Sequence, residues 1–234
     1  MRHDDPPPIR GNMTRLIYKT HKRRSPQNDT PCVLLIHGLE GFPGTMTILE
    51  KRFLRKGWNV LQYTYPCHRV SFYEASEVLE RKLSSLPQEQ HPDYAVGFSM
   101  GGVVLLETLK RSPCIKRNLL LGSPLISSEA AAITLRVPFT RTLLGPSLVE
   151  LAKPRPLELP ATLEFAAIAG RGQFGGSWNP LLSGDNDGLV LVKEALPDAI
   201  PERLVVPALH IELVLRKTVF HLIEHYLSTG TLPE

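Results

Sequence analysis

The chain has 234 residues, 42% of them hydrophobic, and 27 Lys and Arg against 23 Asp and Glu give a formal net charge of +4. That size suits one α/β domain with a substantial core, and no apolar stretch is long enough to span a bilayer. The basic excess is partly local, in His21-Lys22-Arg23-Arg24, and has no aromatic interleaving, so it argues against nucleic acid and leaves only a weak, transient attraction to anionic membrane surfaces.

Residues 1–12 are rich in proline and charge and read as a disordered tail, with Met13 as an alternative start. This segment lacks the apolar h-region of a secretory signal. Cys32, Cys67 and Cys114 have neither disulfide nor metal spacing, which fits a cytoplasmic protein. Residues 13–234 are expected to form a single domain. Strand and helix then alternate. Strands are expected at 16–20, 32–37, 58–65, 94–98, 118–121, 163–169 and 204–206, and helices at 46–56, 72–86, 100–111 and 213–227. Several strands are apolar on both faces, which predicts a mostly parallel sheet covered by helices on both sides. Residues 123–160 break the rhythm with Pro138, Pro146, Pro154, Pro156 and Pro160, and read as a short cap-like insertion over one end of the sheet.

Gly97-Phe98-Ser99-Met100-Gly101 stands where an apolar strand meets an apolar helix. In a nucleophile elbow of this kind, small residues flank a serine held in a strained turn, and its hydroxyl is lifted above the sheet. The backbone N–H of Met100, at the helix N-terminus, is then a candidate oxyanion donor. The strand 32–37 ends in His37-Gly38-Leu39, followed by a loop with Gly41, Pro43 and Gly44. The Leu39 N–H is the second candidate donor, and His37 reads as a loop-shaping residue rather than a base.

These motifs, with Asp187-Gly188-Leu189-Val190 and a late His210, resemble an α/β-hydrolase of the compact bacterial lipase and esterase group. Phe98 departs from the histidine that many lipases carry in the elbow. The resemblance implies the α/β-hydrolase fold and a serine–acid–histidine chain order. It places the acid at Asp187, before Gly-Leu-Val, with Asp185 as the competitor. His210 lies after the last expected strand, whereas His221 and His225 lie inside the closing helix.

Two other patterns lack their context. Gly170-Arg171-Gly172-Gln173-Phe174-Gly175 matches G-x-G-x-x-G, but Gly176-Ser177-Trp178-Asn179-Pro180 reads as loop where a dinucleotide site needs a helix. There the glycines are expected to let a mobile loop pass near the acid. His221-Leu222-Ile223-Glu224-His225 matches H-x-x-E-H, but no far downstream carboxylate completes a zinc site. No metal or organic cofactor is therefore expected. The resulting expectation is a hydrolase of lipid-like or medium-chain carboxylic esters, using Ser99, His210 and Asp187. The alternatives are an acyltransferase or thioesterase with the same triad, or a non-catalytic lipid- or partner-binding protein. Apolar residues of the insertion, Phe139 and Leu143 among them, are expected to line an acyl pocket beside Ser99.

Overall fold

A computed structural model describes residues 14–19, 30–39, 44–172 and 177–233. The expected tail and the basic run lie outside the described residues. In chain order the elements are β1 (Arg15–Lys19), β2 (Cys32–Ile36), α1 (Thr47–Arg55), β3 (Asn59–Thr64), α2 (Phe72–Ser84), β4 (Tyr94–Phe98), α3 (Met100–Arg111) and β5 (Arg117–Leu121). There follow α4 (Glu129–Thr134), α5 (Thr140–Leu144), α6 (Pro146–Leu151), β6 (Glu164–Arg171), α7 (Val192–Ala195), β7 (Glu202–Pro207), α8 (Glu212–Leu215) and α9 (Lys217–Thr229).

The described strands form one seven-stranded sheet in the order β1-β3-β2-β4-β5-β6-β7. β1 runs antiparallel to β3, and every other pair is parallel. The apolar strands are explained by two cores, one on each face. Cys32, Leu34 and Ile36 of β2 pack with α2, α3 and α6. The alternate residues Val33 and Leu35 pack with α1, α8 and α9. A strand buried on both faces cannot show a polar alternation, so its continuous apolar run is the signature of a central position.

Local signals fix several ends. Ser71 Oγ accepts the Glu74 N–H at 3.0 Å while the Glu74 carboxylate accepts the Ser71 N–H at 2.7 Å. This reciprocal capping box starts α2. Residues 123–160 are not irregular throughout, for they contain α4, α5 and α6, with Pro146 at the first turn of α6. The expected closing helix 213–227 is two helices instead. Arg216, between them, is extended at ψ 134°. Arg52 on α1 donates to the carbonyls of Val214, Leu215 and Arg216. The guanidinium satisfies carbonyls at the end of α8, so the helix need not continue. Among the described residues, no helix is long and apolar enough to cross a membrane.

Candidate active site

Ser99 sits between β4 and α3 with φ 55° and ψ −129°, a combination that L-residues rarely adopt. Tight packing holds it there. A Cβ at Gly97 would stand 2.4 Å from Gly102 Cα, and one at Gly101 would stand 2.3 Å from the Ile36 carbonyl oxygen. Any side chain would push α3 off the sheet, which explains the small residues of the pentapeptide. The Ser99 N–H is bonded to the Leu121 carbonyl at 2.8 Å, and its side chain makes no capping bond to α3. The hydroxyl is thus left facing the cavity rather than used as a helix cap. Met100 opens α3, where N–H groups have no intrahelical acceptor.

Asp187 and His210 meet from different loops. His210 Nδ1 lies 2.7 Å from Asp187 Oδ2. A carboxylate only accepts, so Nδ1 carries a proton, and in the neutral ring Nε2 would then offer its lone pair. The other carboxylate oxygen, Oδ1, accepts the N–H groups of Leu189 at 3.0 Å and Val190 at 2.8 Å. Gly188 makes this return possible, since its φ of 104° is in the left-handed region that favours glycine. The backbone joins the two residues again, with the His210 N–H on the Asp187 carbonyl at 2.8 Å. Asp187 is 1% exposed. Its neighbour Asn186 braces the loop, its side chain accepting from Asn179 and Gly188 N–H groups and donating to Ser177, Asn179 and Gly184. Asp185 points elsewhere: it is half-exposed and lies 3.9 Å from Arg171.

One cavity of about 580 Å³ brings these groups together, lined by Leu39, Ser99, Asp187 and His210 among others. Its volume falls in the range of small-molecule sites, roughly 300–1,000 Å³. The walls are mainly apolar. Leu144, Leu148 and Leu151 come from the cap, and Leu189, Leu209 and Ile211 from the loops that carry Asp187 and His210. Phe98 lines it too, its ring 4.8 Å from the His210 imidazole. The expectation that Phe139 and Leu143 line the pocket is overturned: neither borders the cavity, and they are 87% and 75% exposed. Leu125 instead belongs to the core beneath the cap.

His37, His221 and His225 stand apart from the cavity. His37 is buried behind the loop and does not line it. His221 and His225 are exposed on α9, with Glu224 between Lys56 at 3.0 Å and His221 at 3.7 Å. Among the described residues, no group of three His, Cys, Asp or Glu side chains could hold a metal ion. The glycine-rich motif after β6 lies partly outside the described residues. Its first glycine, Gly170, packs where a Cβ would be 2.8 Å from Asp187 Cβ. Sequence reasoning missed the partners of the Leu39 loop, Tyr65 and Cys67. In the sequence Cys67 has neither disulfide nor metal spacing, and neither residue belongs to a motif.

Residues 33–225 match the model of the alpha/beta hydrolase family. The chain belongs to this family. No curated protein sequence matches it. Among solved structures, the mature form of the Bacillus licheniformis lipase BlEst2 superposes with a TM-score of 0.71 at 17% identity, covering 90% of this chain and 98% of that one. The propeptide form of the same lipase gives 0.75 at 16% identity, covering 94% of this chain but 55% of that longer one. A thermophilic esterase from Thermogutta terrifontis, solved with malate bound, gives 0.62 at 14% identity, covering 91% and 93%. Such identities speak for the fold, and the mostly parallel seven-stranded sheet agrees with it.

Proposed function

We propose that this alpha/beta hydrolase cleaves carboxylic esters with an apolar, medium-chain acyl group. The observation that carries the reading is one apolar cavity onto which a strained Ser99 and a hydrogen-bonded His210–Asp187 pair both open. The lipase and esterase names of the similar structures agree with it.

In this reading Ser99 Oγ attacks the acyl carbonyl carbon and His210 Nε2 takes the hydroxyl proton. The imidazolium keeps its Nδ1–H on Asp187, whose carboxylate stabilises the new charge and fixes the ring. The N–H groups of Leu39 and Met100 bind the tetrahedral oxyanion. The C–O bond to the alcohol then breaks, and the alcohol leaves with the proton from His210. Water attacks the acyl-enzyme with His210 again as base, releasing the acid and restoring Ser99.

The test is labelling by a fluorophosphonate and turnover of p-nitrophenyl esters. We expect one adduct, on Ser99, and a loss of at least about three orders of magnitude in kcat for Ser99→Ala with the fold kept. Full turnover by a pure, folded Ser99→Ala protein would overturn the assignment.

A further inference from the structure

Three successive carbonyls, those of His37, Gly38 and Leu39, each accept a side-chain donor. Tyr65 Oη donates to the His37 carbonyl at 2.8 Å. His37 Nδ1 stands 2.8 Å from the Gly38 carbonyl oxygen. Cys67 Sγ donates to the Leu39 carbonyl at 2.8 Å. Two of these donors come from the turn after β3, which the Cys67 N–H closes onto the Tyr65 carbonyl at 2.9 Å.

We propose that Tyr65 and Cys67, acting with His37, are positioning residues that aim the Leu39 N–H at the oxyanion. The inference rests on the ester-hydrolase reading above. The first link is the geometry of the peptide bond. Gly38 C=O and Leu39 N–H share one planar trans unit and point in opposite directions. The Gly38 carbonyl is turned toward His37, which is buried on the side away from the cavity. The Leu39 N–H is thereby turned the other way. Gly38 and Leu39 both border the cavity, and a Cβ on Gly38 would stand 3.1 Å from Ser99 Oγ. The donor is thus presented beside the nucleophile.

The second link is the state of His37. A carbonyl only accepts, so Nδ1 must carry a proton. Nε2 accepts the Tyr65 N–H at 3.3 Å, so it must carry none. Only the neutral Nδ1–H tautomer satisfies both bonds. Burial, with a smaller contribution from neighbouring His68, lowers the His37 pKa against the opposing pull of the Gly38 bond. The third link is rigidity. The Tyr65 ring lies 4.5 Å from the imidazole at an interplanar angle of 12°, and burial raises the Tyr65 phenol well above its ordinary pKa, so it remains a donor. Cys67 fixes the peptide on the far side of Leu39. With both flanking peptides held, the donor needs no reorganisation when charge develops, and such preorganisation is what makes an oxyanion hole effective.

The experiment compares Tyr65→Phe, Cys67→Ala and Cys67→Ser with wild type in ester turnover and in binding of an alkylboronic acid, which forms a tetrahedral adduct on the serine. Loss of an oxyanion donor costs about 10²–10³ in kcat. Misaiming it should cost less, on the order of tenfold for Tyr65→Phe and for Cys67→Ala, with KM little changed. Boronate affinity should fall in parallel, while affinity for the carboxylic acid product stays level. Cys67→Ser, which keeps a short donor, should recover most of the loss. A merely structural role would change stability without this split. Tyr65→Phe keeps the ring stack, so it carries the test alone should Cys67→Ala fail to fold. Wild-type kcat and boronate affinity in folded Tyr65→Phe would overturn the clamp while a labelled Ser99 left the hydrolase reading standing. An unlabelled wild-type Ser99 would overturn both.

Discussion

Two carboxylates two residues apart show how much one side chain's surroundings decide. Asp187 and Asp185 share a loop, yet Asp187 accepts two backbone N–H groups and the His210 imidazole, while Asp185 faces solvent and Arg171. Asp187→Asn should therefore lower kcat by about 10³–10⁴-fold, because an amide nitrogen facing Nδ1 favours the wrong imidazole tautomer. Asp185→Asn should stay within about twofold, since its surface pair with Arg171 is screened. Steady-state kinetics on the two purified variants checks the ranking, and the reverse order would move the acid to Asp185. In the sequence, Asp187 is preferred through the family resemblance, which puts the acid directly before Gly-Leu-Val, and through the serine–acid–histidine order. Only a left-handed Gly188 lets the chain turn back and bind its own aspartate. Tyr65 and Cys67 were not legible, because their contacts with residues 37–39 cross from one strand end to another. No spacing along the chain encodes such a contact.

At the level of elements, the long regular pieces could be read and the short ones could not. Central strands and the helices α1 to α3 fall within two residues of their expected bounds, as their apolar patterning and, for α2, its capping box require. The cap was legible as a unit but not in its inner and outer faces. Its helices, with 5 or 6 residues each, complete less than two turns, so hydrophobic periodicity has nothing to repeat. Eleven Leu, Ile, Val and Phe side chains from Leu125 to Leu151 are candidates in the sequence, and of these the structure gives the cavity Leu144, Leu148 and Leu151. The split of the closing helix was hidden for a related reason, since Arg52, which satisfies the carbonyls at the break, lies on another helix. The cap assignment has a kinetic consequence. Each acyl methylene buried against these leucines should contribute about 0.8 kcal/mol, or roughly fourfold in kcat/KM, until the cavity is full. The gain holds only if the chain is bound as well in the transition state as in the ground state. Esters from acetyl to decanoyl should show a rise to an intermediate length. Leu144→Asp should flatten it, whereas Phe139→Asp and Leu143→Asp should leave the profile unchanged. A wild-type profile flat beyond acetyl would remove the lining role of the cap.

For the whole molecule, the sheet's parallel character was legible in strands apolar on both faces, but the strand order was not. Which strands become neighbours depends on crossovers and packing across the entire chain, and the one antiparallel pairing among the described strands, β1 on β3, leaves no local mark. The order has consequences for stability far from the site. Because β5 pairs with β6, Arg117 at the start of β5 reaches Glu164 at the start of β6, with Nε 2.6 Å from Oε2. The same guanidinium donates to the Leu227 carbonyl of α9 at 2.6 Å, so one side chain ties two strands to the closing helix. The Arg117 hydrogen bond is the main cause that holds the Glu164 carboxyl below its ordinary 4.5, with Lys116 adding to it. A carboxyl whose pKa is lower in the folded chain stabilises the fold above its unfolded value, and the benefit is lost as pH falls through the folded value. Glu164→Gln should then lower the melting temperature at pH 7 by no more than about 2–4 °C, since a solvent-screened pair contributes at most roughly 1 kcal/mol. The gap between variant and wild type should close progressively as pH drops below 4.5, the ordinary value, because wild-type Glu164 then becomes neutral as well. Calorimetric scans of both proteins from pH 7 to pH 3 measure this directly. A gap that persists unchanged at the acid end would mean that Glu164 acts through packing and not through its charge.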